Sequence, residues 1–158
     1  MILSYFIYFV SSYAINVTTG VPSNHAIVQM IDKRFQEARK RASKSRTEVE
    51  IARLERKVKS EITNGNLKDS VETLTSLMTA RKKMLKTLKS LDEDLSTGQL
   101  STAYTLKVFG QVLTERGDKA SAVRAFEDAQ KLFSKAGIET GNQDLDDIEA
   151  YLKKLRGA

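Results

Sequence analysis

Few side chains in this sequence are of a kind that does chemistry. His25 is the single histidine and cysteine is absent, so a Ser-His-Asp or Cys-His relay has one histidine base at most and a multi-histidine zinc site has too few ligands. The lack of cysteine also removes disulfides and thiolate nucleophiles, and it fits a reducing compartment. Carboxylates cluster twice, at Asp92-Glu93-Asp94 and at Asp144, Asp146 and Asp147. The second group loosely suggests calcium, but the Asp-x-Asp-x-Asp-Gly run and the closing glutamate are missing. Capping of a helix start, where carboxylates meet free backbone N–H groups, is the expectation there. Gly137 and Gly141 have neither the lysine nor the strand that a phosphate-cradling loop requires. No catalytic, cofactor-binding or metal-ligating residue is therefore expected, and the chain reads neither as an enzyme nor as a receptor for a small-molecule substrate.

The remaining candidates are cations. The net charge is +6, unevenly spread: residues 33–59 hold eleven Lys/Arg against four Glu, and residues 81–89 hold five bases and no acid. From Asp92 onward twelve acids face nine bases. Lys33, Arg34, Arg39, Lys40, Arg41, Lys44 and Arg46 on one stretch, and Arg81, Lys82, Lys83, Lys86 and Lys89 on another, are spaced to follow a phosphate backbone. Aromatics for base stacking are missing among them apart from Phe35, so sequence-specific reading of single strands is not expected. RNA or an anionic membrane surface is the partner such a basic half admits; solvated helix faces are the plainer reading.

The elements that must carry these residues are helical. With 158 residues, 41% of them hydrophobic, the chain is about one domain long and can bury a single core. Pro22 is the only proline, so nothing after it forbids long helices. Met1–Ile15 (MILSYFIYFVSSYAI) holds five of the eleven aromatics and no charge. Its apolar run falls short of the roughly 20 residues of a membrane span. It reads as a signal sequence cut after Ser12-Tyr13-Ala14, a short anchor, an extension outside the fold, or a segment packed on the helices. Cleavage would leave Asn16-Val17-Thr18 as a glycosylation acceptor near the new terminus. The turn formers of Asn16–Asn24 make a linker that includes Pro22. The chain thus divides into an apolar segment and linker (1–24), a basic helical region (25–66) and a helical bundle (67–158).

In the basic region Ile27, Ile31, Phe35 and Ala38 fall on one helical face. Charge dominates residues 39–47, read as an exposed connector, and Val49, Ile51, Leu54, Val58 and Ile62 resume the stripe up to Asn64-Gly65-Asn66. One long helix with a weak middle and two separate helices both fit this pattern. A second pattern runs through Val71, Leu74, Met78, Leu85, Leu88 and Leu95, with Asn66 or Asp69 as its cap and Arg81 and Asp92 interrupting it. Ser96–Gln99 is expected to end it, with Gly98 in the left-handed conformation. Ala103, Leu106, Phe109, Gly110 and Leu113 form the next helix, closed by Gly117. Asp118 caps a helix lined by Ala122, Val123, Phe126, Ala129, Phe133 and Ala136. Residues 138–147 are expected as a polar loop before a short helix with Ile148, Tyr151, Leu152 and Leu155.

Two resemblances follow from these residues. Leu106, Gly110, Leu113, Gly117, Ala122, Phe126 and Ala129 fall at the spacing of a tetratricopeptide repeat, but a step of 34 residues in either direction loses the pattern, so one repeat-like hairpin is present without an array. Residues 80–156 resemble the C-terminal helical domain shared by the steroid receptor RNA activator protein and the COPII outer-coat large subunit. The likeness rests on Lys83–Leu95, Leu100-Ser101, Arg116-Gly117-Asp118 with Ala122, and Tyr151 followed by Lys154-Leu155. Tyrosine replaces the usual tryptophan at Tyr151 and the preceding loop is longer. That resemblance implies a vesicle-coat-like or adaptor subunit, cytoplasmic and ER-associated, with protein partners in a larger assembly.

The resulting expectation is an all-α antiparallel bundle of about five helices with a long basic N-terminal helix, acting as a protein-interaction or scaffold module. Partner binding is expected in an apolar groove lined by Leu88, Leu95, Leu106, Phe109, Leu113, Phe126, Phe133 and Tyr151. An RNA-associated subunit and a secreted or anchored helical protein are the competing classes.

Overall fold

The described residues form five α-helices and no strand: α1 (Asn24–Thr63), α2 (Leu67–Ser90), α3 (Ser96–Glu115), α4 (Lys119–Lys135) and α5 (Gln143–Arg156). The computed structural model describes residues 24–138 and 141–157, with side chains from Val28 onward. The apolar segment Met1–Ile15 and the linker with Pro22 lie outside the described residues, as does the side chain of His25. The chain divides into two compact units, Met1–Arg39 and Lys40–Ala158. In the first, the described residues are helical, and Val28, Met30 and Phe35 are exposed. The second contains the bundle.

Several boundaries follow their local chemistry. Residues 39–47, expected as a connector, are helical; a run of bases disfavours burial but not helix, because long charged side chains lose little rotamer freedom there. Asn66 caps α2, its side-chain oxygen accepting from the Asp69 backbone N–H at 3.4 Å. Gly117 at φ +81° closes α3, and Asp118 caps α4 by accepting from the Ser121 N–H at 3.1 Å. The expected loop over residues 138–147 is shorter: α5 starts at Gln143, and Asn142 caps it by accepting from the Asp144 N–H at 2.9 Å.

The α2–α3 junction differs from expectation. The chain turns at Asp92, whose φ is +56°, while Gly98 sits inside α3. A Cβ at Gly98 would lie 2.9 Å from Leu85 Cδ2 and 3.1 Å from Leu88 Cδ1. This glycine therefore serves close helix approach, and aspartate, one of the few side chains that tolerates the left-handed region, makes the turn. Leu95 is accordingly the residue before α3, not the end of the α2 stripe.

Two apolar clusters hold the bundle. One joins α2, α3, α4 and α5 around Phe126 and Phe133, packed with Ala103, Ala122, Ala125 and Ala129 and covered by Leu145, Ile148 and Leu152. Phe126 seats against Gly110, where a Cβ would meet its ring at 2.7 Å, and Tyr151 stacks on its other side with centroids 4.9 Å apart. Removing a phenylalanine of this size from water contributes up to about 3 kcal/mol. The other cluster joins α1, α2 and α3 through Leu54, Val58, Leu74, Leu77, Ala80 and Val112. Its buried members are all aliphatic, with Phe109 packed at its edge.

Candidate interaction groove

The residues expected to form a partner groove are, for the most part, core. Phe126 and Phe133 are fully buried, Leu88, Leu106 and Leu113 are buried, and Leu95, Phe109 and Tyr151 are half-buried. The apolar trough between α3 and α4 is filled by α5, whose Leu145, Ile148 and Leu152 face the same cluster. An amphipathic helix within the chain thus covers the face that the sequence pattern offered to a partner.

Polar contacts fasten that helix. Lys107 of α3 donates to Asp144 Oδ1 at 2.8 Å and to Asp147 Oδ2 at 2.6 Å, and Arg156 reaches Glu127 of α4 at 2.6 Å. Burial pushes the Lys107 ammonium down, but its hydrogen bonds to the two aspartates and their negative charge outweigh it and its pKa is raised. The hydrogen bond from Lys107, aided by one from Gln143, holds the Asp147 carboxyl below the usual carboxylate range. Tyr104 hydrogen-bonds Asp144, which raises its hydroxyl pKa, and sits edge-on to Phe133 at 5.1 Å. The acidic cluster expected to cap a helix does not do so: Asn142 is the cap, and Asp144 and Asp147 neutralise a buried lysine.

An open groove lies elsewhere, between α1 and α3, with α2 as its floor. Its wider part, about 530 Å³, is lined by Val58, Ile62, Leu74, Leu77, Tyr104 and Val108, with Glu55, Lys59 and Arg81 among its polar residues. A second part of about 430 Å³ continues along the same helices past Ile51, Ala52, Met84, Leu88 and Gly98, with Lys44, Glu48, Glu93 and Asp94 at its far end. Glu55, Arg81 and Ser101 belong to both parts. Floor residues Leu74, Leu77, Arg81, Met84 and Leu88 step by three and four, the spacing of one helix face.

Arg81 stands at the middle of that floor. Its guanidinium pairs with Glu55 of α1, its Nε is buried without a partner, and burial lowers its pKa although Glu55 opposes the shift. Glu61 Oε2 on α1 is also buried without a partner. Sequence spacing placed Arg81 among the basic residues and read it as an interruption of the α2 stripe. Its position on the apolar face was the available signal that this face is not a dry core.

The other candidate cations part company. Lys44 pairs with Glu93, and Lys40 donates to the Ser90 carbonyl at 3.1 Å. Lys82, Lys83, Lys86 and Lys89 are exposed along α2, as are Arg41 and Arg46 on α1. Lys33, Arg34 and Arg39 are exposed in the first unit. No helix among the described residues is long and apolar enough to cross a membrane. No family model, curated protein or solved structure matches this chain.

Proposed function

We propose that this chain is a non-enzymatic helical module for protein–protein interaction, an adaptor or scaffold subunit of a larger assembly. The open groove between α1 and α3 carries the reading. Its floor residues Leu74, Leu77 and Leu88 are already buried, and the surface it offers a partner helix is the exposed rim, with Ala52 and Lys59 of α1 and Tyr104 of α3. The vesicle-coat resemblance of residues 80–156 supports an adaptor role and, with it, a cytoplasmic location at the ER face. The test is quantitative affinity capture with the wild-type chain and with Ala52→Trp, a substitution at an exposed groove position. A partner lost from the variant supports the reading. Identical capture profiles, with the variant folded by circular dichroism, overturn it.

A second reading, a basic RNA-associated subunit, is favoured by the exposed Lys82, Lys83, Lys86 and Lys89 in a stretch without acids. Its signature is nucleic-acid affinity that falls steeply with salt, about one unit of log–log slope for each phosphate contacted. No RNA or DNA binding at low salt would remove it.

A further inference from the structure

α1 carries two apolar seams, and only one of them is buried among the described residues. Thr47, Leu54 and Val58 are buried on the side that meets α2 and α3. A second line, Ile31, Phe35, Ala38, Ala42, Ser45 and Val49, advances by steps of three and four, the a and d positions of a heptad repeat. At 3.6 residues per turn Val49 stands about 200° round the helix from Thr47, so this line faces the other way. Ile31 is half-buried and the other five are exposed, Phe35 by 58% and Val49 by 67%. Val28, one step earlier on the same line, is 54% exposed. Of the large apolar side chains left exposed among the described residues, only Met30 and Tyr104 lie off this line. A helix face turned to water is ordinarily polar, so large apolar side chains recurring at heptad spacing mark a contact surface.

We propose that this seam joins two copies of the chain through an antiparallel, two-fold symmetric pair of α1 helices, centred at the level of Lys40. The order of side-chain sizes favours that course. In antiparallel pairing an a residue faces a d residue, so Phe35 meets Ser45, Ile31 meets Val49 and Ala38 meets Ala42, each contact made twice. Phe35, the largest, has a small residue opposite, and the central alanines admit a close approach. In parallel pairing each residue would meet its own copy, Phe35 on Phe35 and Ser45 on Ser45, a wide layer among narrow ones. The flanking charges agree. Antiparallel, Asp32 faces Arg46 of the second copy and Glu48 faces its Arg34, all at exposed positions, while Arg39 and Arg41 meet their own copies at the axis. Parallel, Glu48 finds Arg53, but Arg34 faces Arg39 and Arg41 faces Arg46. Opposite charges outnumber like ones in the first course and are outnumbered in the second. Lys40 and Lys44 lie off the seam, engaged with Ser90 and Glu93 of their own chain.

Sedimentation equilibrium of the full chain reads the dimer directly, as a mass that rises with concentration from 17.7 kDa towards twice that value. Phe35→Lys and Val49→Lys, at exposed positions where lysine costs the fold little, should each weaken dimerisation roughly tenfold or more, with helicity by circular dichroism unchanged. Arg46→Asp reads the direction. It sets an aspartate against Asp32 in the antiparallel pair and should weaken it, whereas in a parallel pair it would face Arg41 and strengthen it. The chain has no cysteine, so introduced thiols report without interference. Under mild oxidation Ala38→Cys mixed with Ala42→Cys should cross-link, and Ala38→Cys alone should not. Its two copies would be offset by about 6 Å along the axis and by about 8 Å between helices, beyond disulfide reach. A monomer at every concentration up to about 1 mM overturns the proposal. So does a dimer that Phe35→Lys and Val49→Lys leave intact, one that Arg46→Asp strengthens, or self-cross-linking of Ala38→Cys. If the chain stays monomeric but binds vesicles of anionic lipid, and Phe35→Lys abolishes that binding, a membrane surface is the occupant and the proposal falls.

Discussion

The two apolar clusters of the bundle use different chemistry. The α3–α4–α5 side is aromatic and filled: Phe126 is held between Gly110 and Tyr151, and four alanines admit the close approach. The buried members of the α1–α2–α3 side are aliphatic, and among the described residues Arg81 Nε and Glu61 Oε2 on these helices are buried without partners. α2 serves both, through Met78 in one cluster and Leu74 and Leu77 in the other. The difference separates a face that α5 covers from one that, among the described residues, is left as an open groove. An apolar stripe alone does not distinguish the two; the presence of a covering helix does.

The contrast is sharpest at Phe126. Phe126→Ala should cost about 3–5 kcal/mol, since its cavity is walled on all sides, read as a lower denaturant midpoint with an unchanged slope. An unchanged midpoint would show that the aromatic side is not what holds the bundle. Gly110→Ala comes next, at about 1–3 kcal/mol of overpacking against the ring, less up to about 1 kcal/mol of gained helix propensity. A stabilised variant in the same denaturant measurement would mean that Phe126 is free to move, and the aromatic side would then be no tighter than the other.

Lys107→Met tests how α5 is fastened, and about 1 kcal/mol is expected, kept small because both aspartates are partly solvated. The pH dependence of the native contribution has two edges. Asp147, with its pKa lowered, contributes above the ordinary carboxylate value of about 3.9, and the contribution is lost as pH falls through its lowered value. Lys107, with its pKa raised, contributes fully below about 10.4 and loses that contribution as pH rises through its raised value. Midpoints of wild type and variant should therefore differ most near neutrality and converge towards both extremes. A gap that stays constant with pH would assign the effect to packing.

The smallest effect is expected at the open groove. Arg81→Met removes a desolvated charge with an orphaned Nε, and the Glu55 it leaves behind is exposed. Thermal stability should change by less than about 1 kcal/mol, in either direction. A loss of several kcal/mol would make Arg81 a structural strut, and the two sides of the bundle would then be equally finished.

Much of the fold could be read from pattern. Leu106, Gly110, Leu113, Phe126 and Ala129 announced a tight helix pair, and Gly117 and Asp118 its turn, because those signals are local. Gly98 misled because glycine has two uses, chain reversal and close approach, and only the neighbours Leu85 and Leu88 tell which applies. Asp92, placed within an acidic run, gave no local sign that it would take the left-handed conformation. Phe133 and Leu106 were legible as apolar but not as covered, since that depends on where α5 docks. The groove between α1 and α3 was hidden for the converse reason: its floor residues Leu74, Leu77 and Leu88 look like any other core stripe, and only Arg81 marks the difference.

The order of packing along the chain has a kinetic consequence. α2 lies on α3, α3 on α4 and α4 on α5, so each helix of the bundle meets its successor in sequence. Loops between them are short, and little chain entropy is spent before a contact forms. Topologies dominated by such local contacts fold in microseconds to milliseconds. The α3–α4 hairpin, with its glycine turn and its ring seated against Gly110, is the natural place for that process to begin. A chain emerging from the ribosome would complete its aromatic core only when α5, which follows the other helices of that core in sequence, becomes available to close it.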